Sequence, residues 1–274
     1  MPLTALVIAL GAAVVHAFWN LVVARSEDNQ ATTAVAIAIG VAVAAPFALL
    51  RWNVAPQAWP FIAASSALEL VYFYLLTTAY RRAEMSLVYP IARGSAPVIV
   101  LIVSVVVLGV ATSIPQALGV GLVGLGVILV RGLRGGAKWS DVAMALAVAT
   151  AIASYTLVDK EGVKYADPVT YVTLILVVPA IVSVAYVAWR GGAVRVRNAV
   201  KRDAVITGIG TVTAYALVLV ALTMAPAASV AAVREVSVVI AVALGAIFLH
   251  EKVSAARIAG AVVVTLGVAL IVLG

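Results

Sequence analysis

There is no cysteine in this chain, and histidine occurs at two positions, His16 and His250. The first absence excludes disulfides, thiolate metal sites and cysteine nucleophiles; the second leaves too few imidazoles to build a metal cluster. Charge is also scarce, with 11% charged residues against 65% hydrophobic ones and a mean hydropathy of +1.19. That balance leaves too little polar surface to cover a soluble globule, so the chain is read as an integral membrane protein. No ATP-binding motif, histidine-rich box, serine-histidine-acid set or large extramembrane domain is evident, which counts against a membrane enzyme. No metal or cofactor is implied. The formal charge of +7 does not indicate nucleic acid, because the basic residues fall between apolar runs and form no single patch.

What the chain does have is long apolar runs. A helix needs roughly 20 apolar residues to cross a bilayer, where the backbone must satisfy its own hydrogen bonds. About ten such runs are expected, near 3–24, 32–50, 58–80, 86–108, 114–131, 140–158, 168–189, 203–223, 227–249 and 255–273. The first lacks a basic n-region and carries the polar His16 and Asn20, so it reads as a retained helix.

The runs repeat. A gapless shift of 141 positions places Arg93 on Arg234, Tyr74 on Tyr215, Val98-Ile99 on Val239-Ile240 and Leu125-Gly126-Val127 on Leu266-Gly267-Val268. The boundary falls in the Arg134 to Lys138 linker, giving units of 1–134 and 135–274 with five helices each. An odd number inverts the second unit. The expected fold is therefore all-α: ten transmembrane helices as two inverted five-helix repeats around a central cavity, the design of a transporter.

Loops after odd-numbered runs hold Arg25, Arg81, Arg82, Arg131, Arg134, Lys138, Arg190, Arg195, Arg197, Lys201, Arg202, Lys252 and Arg257; the opposite side holds Arg51, Lys160 and Lys164. The positive-inside rule then places both termini outside the cytoplasm and the chain in the cytoplasmic membrane.

Three features carry a family resemblance: His16-Ala17-Phe18-Trp19-Asn20, the run Leu249-His250-Glu251-Lys252-Val253-Ser254, and the glycine-bearing last helix of each half. Together with the five-plus-five repeat they resemble an EamA-type member of the drug/metabolite transporter superfamily. The resemblance covers the whole chain and implies ten helices around a central cavity, alternating access, and small metabolites or amphipathic compounds as substrates. One departure is that Val110 stands at the position matching Glu251.

A charge at bilayer depth costs at least about 2.5 to 3.5 kcal/mol, so each should face a partner or a wet cavity. Glu69, Arg93, Arg234 and Glu235 are the clearest cases. In one reading they only clamp helices, Arg93 pairing with Glu69 and Arg234 with Glu235 or a backbone carbonyl. In the other they face substrate. Glu235 lies about 100 degrees from Arg234 around a helix, which disfavours a pair between these neighbours. Ser86, Tyr89, Arg93 and Pro97 share a face that Pro90 and Pro97 could open. Glu69 leads a stripe with Tyr72, Phe73, Leu76 and Tyr80; His16, Trp19 and Asn20 lie together on the first helix. Tyr155 and Thr156 occupy a similar point on the sixth. Asp159, beside Lys160 and Glu161, is expected at the interface, ranking below Glu69.

The leading expectation is a secondary transporter for a small polar or amphipathic metabolite, amino-acid-like in character. Its binding residues would be His16, Trp19, Asn20, Glu69, Tyr72, Tyr89, Arg93, Tyr155, Tyr215 and Arg234, with Glu69, His16 and Glu235 as candidates for a coupling proton. The arginines would hold a carboxylate or phosphate by charge-assisted hydrogen bonds, and Arg93, followed by Gly94 and flanked by prolines, is the expected reader. The alternative is an organic-cation transporter in which Trp19 and the tyrosines form a cage beside Glu69. A scaffold, receptor or enzyme is the reading of another class. The letters Gly119-Val120-Gly121-Leu122-Val123-Gly124 match a dinucleotide motif but lack its strand. These glycines, with Gly260 and Gly267, are expected to serve close helix packing.

Overall fold

The computed structural model describes residues 1–82, 85–131, 138–248 and 254–273. Its helices are α1 (Leu3–Ala24), α2 (Asn29–Leu50), α3 (Ala58–Arg82), α4 (Met85–Val106), α5 (Ile114–Arg131), α6 (Trp139–Gly162), α7 (Pro168–Ala199), α8 (Arg202–Met224), α9 (Ala227–Arg234), α10 (Val236–Phe248) and α11 (Ala255–Leu273). Among the described residues, six helices are long and apolar enough to cross a membrane: Leu3–Val23, Asn29–Leu50, Ala58–Leu76, Trp139–Gly162, Pro168–Ala199 and Arg202–Met224. Three further segments, Ile91–Val106, Ile114–Leu129 and Ile258–Leu273, are apolar but shorter.

Most apolar runs fold as expected, and three elements differ. The ninth run is two helices, interrupted at Glu235, where Glu235 N bonds Ala232 O (3.0 Å) and Val238 N bonds Glu235 O (2.9 Å). These i to i+3 bonds mark a tightened turn within an otherwise α-helical run. The fourth run, by contrast, stays helical through Pro90 and Pro97, with no interruption like that at Glu235. The seventh extends to Ala199 beyond a break at Gly192, whose φ of 74° is open to glycine at little cost.

Packing is reciprocal under the shift of 141. α1 lies on α8 and α3 on α6; α4 meets α6, and α1 meets α9 and α10; α2 faces α7, and α5 faces α11. Small residues make the close approaches. A Cβ on Gly119 would fall 2.6 Å from Gly267 O, and one on Gly126 would fall 2.8 Å from Gly260 O. Those two contacts run in opposite chain directions, so α5 and α11 are antiparallel. Gly94 and Gly124 bring α4 against α5, and Gly40 and Gly208 bring α2 against α8. Gly121 has open space around its Cβ position and plays no such role.

The inner face of α1 is alanine, with Ala5, Ala9 and Ala12 fully buried. Outward faces carry stripes such as Ile258, Val262 and Leu266 on α11 and Leu118, Leu125 and Leu129 on α5. Apolar stripes of this kind suit lipid contact, since a soluble monomer rarely exposes them. At one end, the α2–α3 and α6–α7 loops are tied by Ala55 N to Tyr165 O (2.9 Å) and Asp167 N to Asn53 O (3.0 Å). At the other, Arg195 bonds Asp28 (2.6 Å) and Lys201 pairs with Glu27 (3.0 Å).

Candidate functional site

Buried polar side chains from both halves gather at the centre. α3 brings Ser65 and Glu69, α4 brings Arg93, α6 brings Tyr155 and Asp159, and the α9–α10 junction brings Arg234 and Glu235; all seven are buried. α1 adds half-buried His16 and Trp19, and α8 adds half-buried Tyr215. His16 and Tyr155 each lie within electrostatic range of both Arg93 and Arg234, so the two guanidiniums approach one region from opposite halves.

The ion pairing crosses the halves in a way the sequence did not indicate. Arg93 Nε sits 3.0 Å from Glu235 Oε2, which replaces the Arg93–Glu69 pair of the clamp reading, and no ion pair joins the neighbours Arg234 and Glu235, in line with their angular separation. Adjacent residues on a helix point apart, whereas helices 4 and 9 face each other. Under the repeat, Glu235 corresponds to Gly94. The place where Arg234 would find the matching carboxylate is therefore a glycine, which is packed tightly on Gly124. Among the described residues Arg234 forms no ion pair, and its buried Nε has no hydrogen-bond partner.

Asp159 is not interfacial: its residue exposure is 1%. Ser65 Oγ and Tyr171 OH donate to Oδ1 at 2.6 and 3.2 Å, and Tyr215 OH lies 2.6 Å from Oδ2. Tyr215 OH is also 3.1 Å from Glu69 Oε1. The adjacent Lys160 turns the other way and donates to Leu222 O and Ala225 O (2.5 and 3.1 Å), where a cation satisfies carbonyls at the end of α8. The charged run 159–161 thus hid a buried carboxylate. The available signal was helical spacing, because Asp159 stands one turn beyond Tyr155, on the same face.

Tyrosines form a continuous wall. The Tyr72 and Tyr155 rings are 6.0 Å apart at 77°, and those of Tyr155 and Tyr215 are 6.3 Å apart at 51°. His16 and Trp19 stack edge to face at 4.9 Å; Gly210 leaves room for the indole, whose Nε1 is buried with no partner among the described residues. Asn20 donates to His16 O at 2.7 Å, so its amide is engaged by its own helix. The side chains of Ser86, Tyr89 and Tyr80, and all of Glu251 and His250, lie outside the described residues. No group of metal-ligating side chains occurs among the described residues. A crevice of about 850 Å³ opens at the Asp28 and Arg195 end, and none of the central residues lines it.

Apolar helices around a buried charged centre define a multi-pass membrane protein. The sequence matches the EamA-like transporter family over residues 3–132 and again over 139–273, and the chain belongs to that family. A solved structure described as "Crystal structure of protein" superimposes with a TM-score of 0.80 over 98% of this chain and 97% of its own, at 15% identity, which speaks to the fold alone. Among curated proteins, no sequence matches this one.

Proposed function

We propose that the chain is a secondary transporter moving a small, amino-acid-like metabolite across the cytoplasmic membrane by alternating access, driven by a gradient or by exchange. In this reading ten spans form two inverted repeats, and the substrate binds at their interface near the bilayer midplane. Reciprocal packing and the antiparallel α5–α11 contact support the inversion.

The observation that carries the reading is Arg234, which shares a side-chain hydrogen bond with Tyr155 but has no ion pair among the described residues. A buried guanidinium with a free N–H and no carboxylate partner among the described residues is suited to a substrate carboxylate or phosphate. Its mate Arg93 is held by Glu235 and acts first as a clamp, so we assign the reading of the anion to Arg234, reversing the preference drawn from the flanking prolines. His16, Trp19, Tyr72, Tyr155 and Tyr215 shape the site, and Glu69 faces the amine or a coupling proton. Uptake by proteoliposomes tests this: amino-acid flux should fall at least about tenfold in Arg234→Ala, the scale of one lost charge-assisted bond. Unaltered flux removes the assignment.

A second reading has its own support. The Tyr72–Tyr155–Tyr215 wall stands beside Glu69, and the Arg93–Glu235 pair neutralises one of the two arginines that disfavour a cation. An organic cation of the choline type would then sit against the rings. Thermal-shift measurements with choline and with a panel of amino acids separate the two. Stabilisation by choline alone selects the cation.

A further inference from the structure

Two carboxyl groups share one phenol at the centre. Tyr215 OH lies 2.6 Å from Asp159 and 3.1 Å from Glu69, yet a phenol carries a single proton to donate. Asp159 also receives the hydroxyls of Ser65 and Tyr171. Three hydroxyl donors around one carboxylate fit its ionised form, in which every oxygen is an acceptor. The phenol proton then belongs to the shorter contact. A bond at the longer one requires Glu69 to be the donor, with the phenolic oxygen as acceptor.

We infer that Glu69, Tyr215 and Asp159 form one proton-binding site, with a single exchangeable proton resident on Glu69 while the transport centre is empty. Charge balance leads to the same count. Arg93 and Arg234 face Glu69, Asp159 and Glu235, so full ionisation leaves this buried group negative, and one proton makes it neutral. Burying net charge is costly, and Arg93 is committed to Glu235. Of the other titratable groups nearby, Tyr155 from α6 faces Glu69, Tyr171 from α7 bonds Asp159, and His16 from α1 faces the two arginines; among the described residues the hydrogen bond of Glu69 is to Tyr215. Loss of the proton to water leaves two carboxylates competing for one phenol. A cation arriving at the tyrosine wall would relieve that repulsion, so proton and cation exclude one another. The role in coupling rests on the transporter reading; the site itself does not.

Infrared titration of the purified protein in lipid, from mildly acidic to alkaline pH, reads the proton directly. At neutral pH the wild type should show the C=O band of a buried protonated carboxyl, which vanishes as pH rises. Labelling glutamate with ¹³C should shift that band, which identifies Glu without any mutation; Glu69→Gln should abolish it, and Tyr215→Phe should move its midpoint. Absence of the band at neutral pH overturns the proposal, as does a band that ignores labelled glutamate, survives Glu69→Gln, or keeps its midpoint in Tyr215→Phe. Intact band behaviour with no amino-acid uptake would sink the transport reading alone, and normal uptake without the band would sink the proton site alone.

Discussion

Breaking the Arg93–Glu235 pair should cost unequal amounts from its two ends. Their side chains are 9% and 1% exposed, and the contact is 3.0 Å, so the pair is of the buried kind, where removing one partner costs about 3 to 5 kcal/mol. Glu235→Gln leaves a guanidinium that cannot shed its proton, so its loss is the larger of the two. Arg93→Met leaves a carboxylate that can take up a proton instead, and each pH unit of that adjustment is worth about 1.4 kcal/mol, so its loss is smaller. Arg234→Met removes a cation that faces three carboxyl groups without a close ion pair among the described residues; those groups can take up a proton in compensation, so its loss should also stay below that of Glu235→Gln. Denaturant unfolding of the purified proteins in one detergent measures the series. At about 1.4 kcal/mol per tenfold, Glu235→Gln shifts the folding equilibrium more than a hundredfold. The reasoning is refuted if Glu235→Gln unfolds like the wild type, or if Arg234→Met is as damaging.

Gly119→Ala should destabilise by about 1 to 3 kcal/mol because the new methyl meets backbone on α11, while Gly121→Ala should be neutral or slightly stabilising; the same unfolding assay compares them. Asp28 has its carboxyl held below the ordinary range by the Arg195 guanidinium. A lowered native value means its contribution is complete above the unfolded carboxylate range and lost as pH falls through the lower native one. Asp28→Asn, which keeps the N-cap to Ala31, should cost under about 1 kcal/mol near neutrality and nothing in strong acid; an acid series of melts checks this. A fluorescent protein that lights up only in the cytoplasm, fused after Gly274, should stay dark if both termini are outside.

Family, apolar helices and repeat were legible because a bilayer leaves so little choice: apolar length sets each helix, and the duplicated spacing of Arg93 and Arg234 marks two copies. Contacts across helices were not legible. Nothing in the fourth and ninth runs said that Arg93 meets Glu235, because that depends on which faces the fold turns together. Asp159 looked exposed for a physical reason: its neighbours Lys160 and Glu161 belong to the helix end, where Lys160 serves α8 carbonyls and Glu161 pairs with Lys164. One turn of helix separates that polar end from the buried centre. The interruption at Glu235 carries no proline or glycine to announce it. The asymmetry of the repeat, however, was visible all along in Gly94 against Glu235, and it became meaningful only once Glu235 was seen holding the opposite arginine.

Uptake of labelled amino acids into sealed proteoliposomes by the wild type and by Arg234→Lys and Arg234→Ala tests substrate reading by Arg234 most directly. Uptake should be saturable in the wild type, weakened in Arg234→Lys, which keeps the charge but loses the planar fork, and reduced at least about tenfold in Arg234→Ala. Equal uptake by all three, or uptake of organic cations with none of amino acids, would contradict that reading.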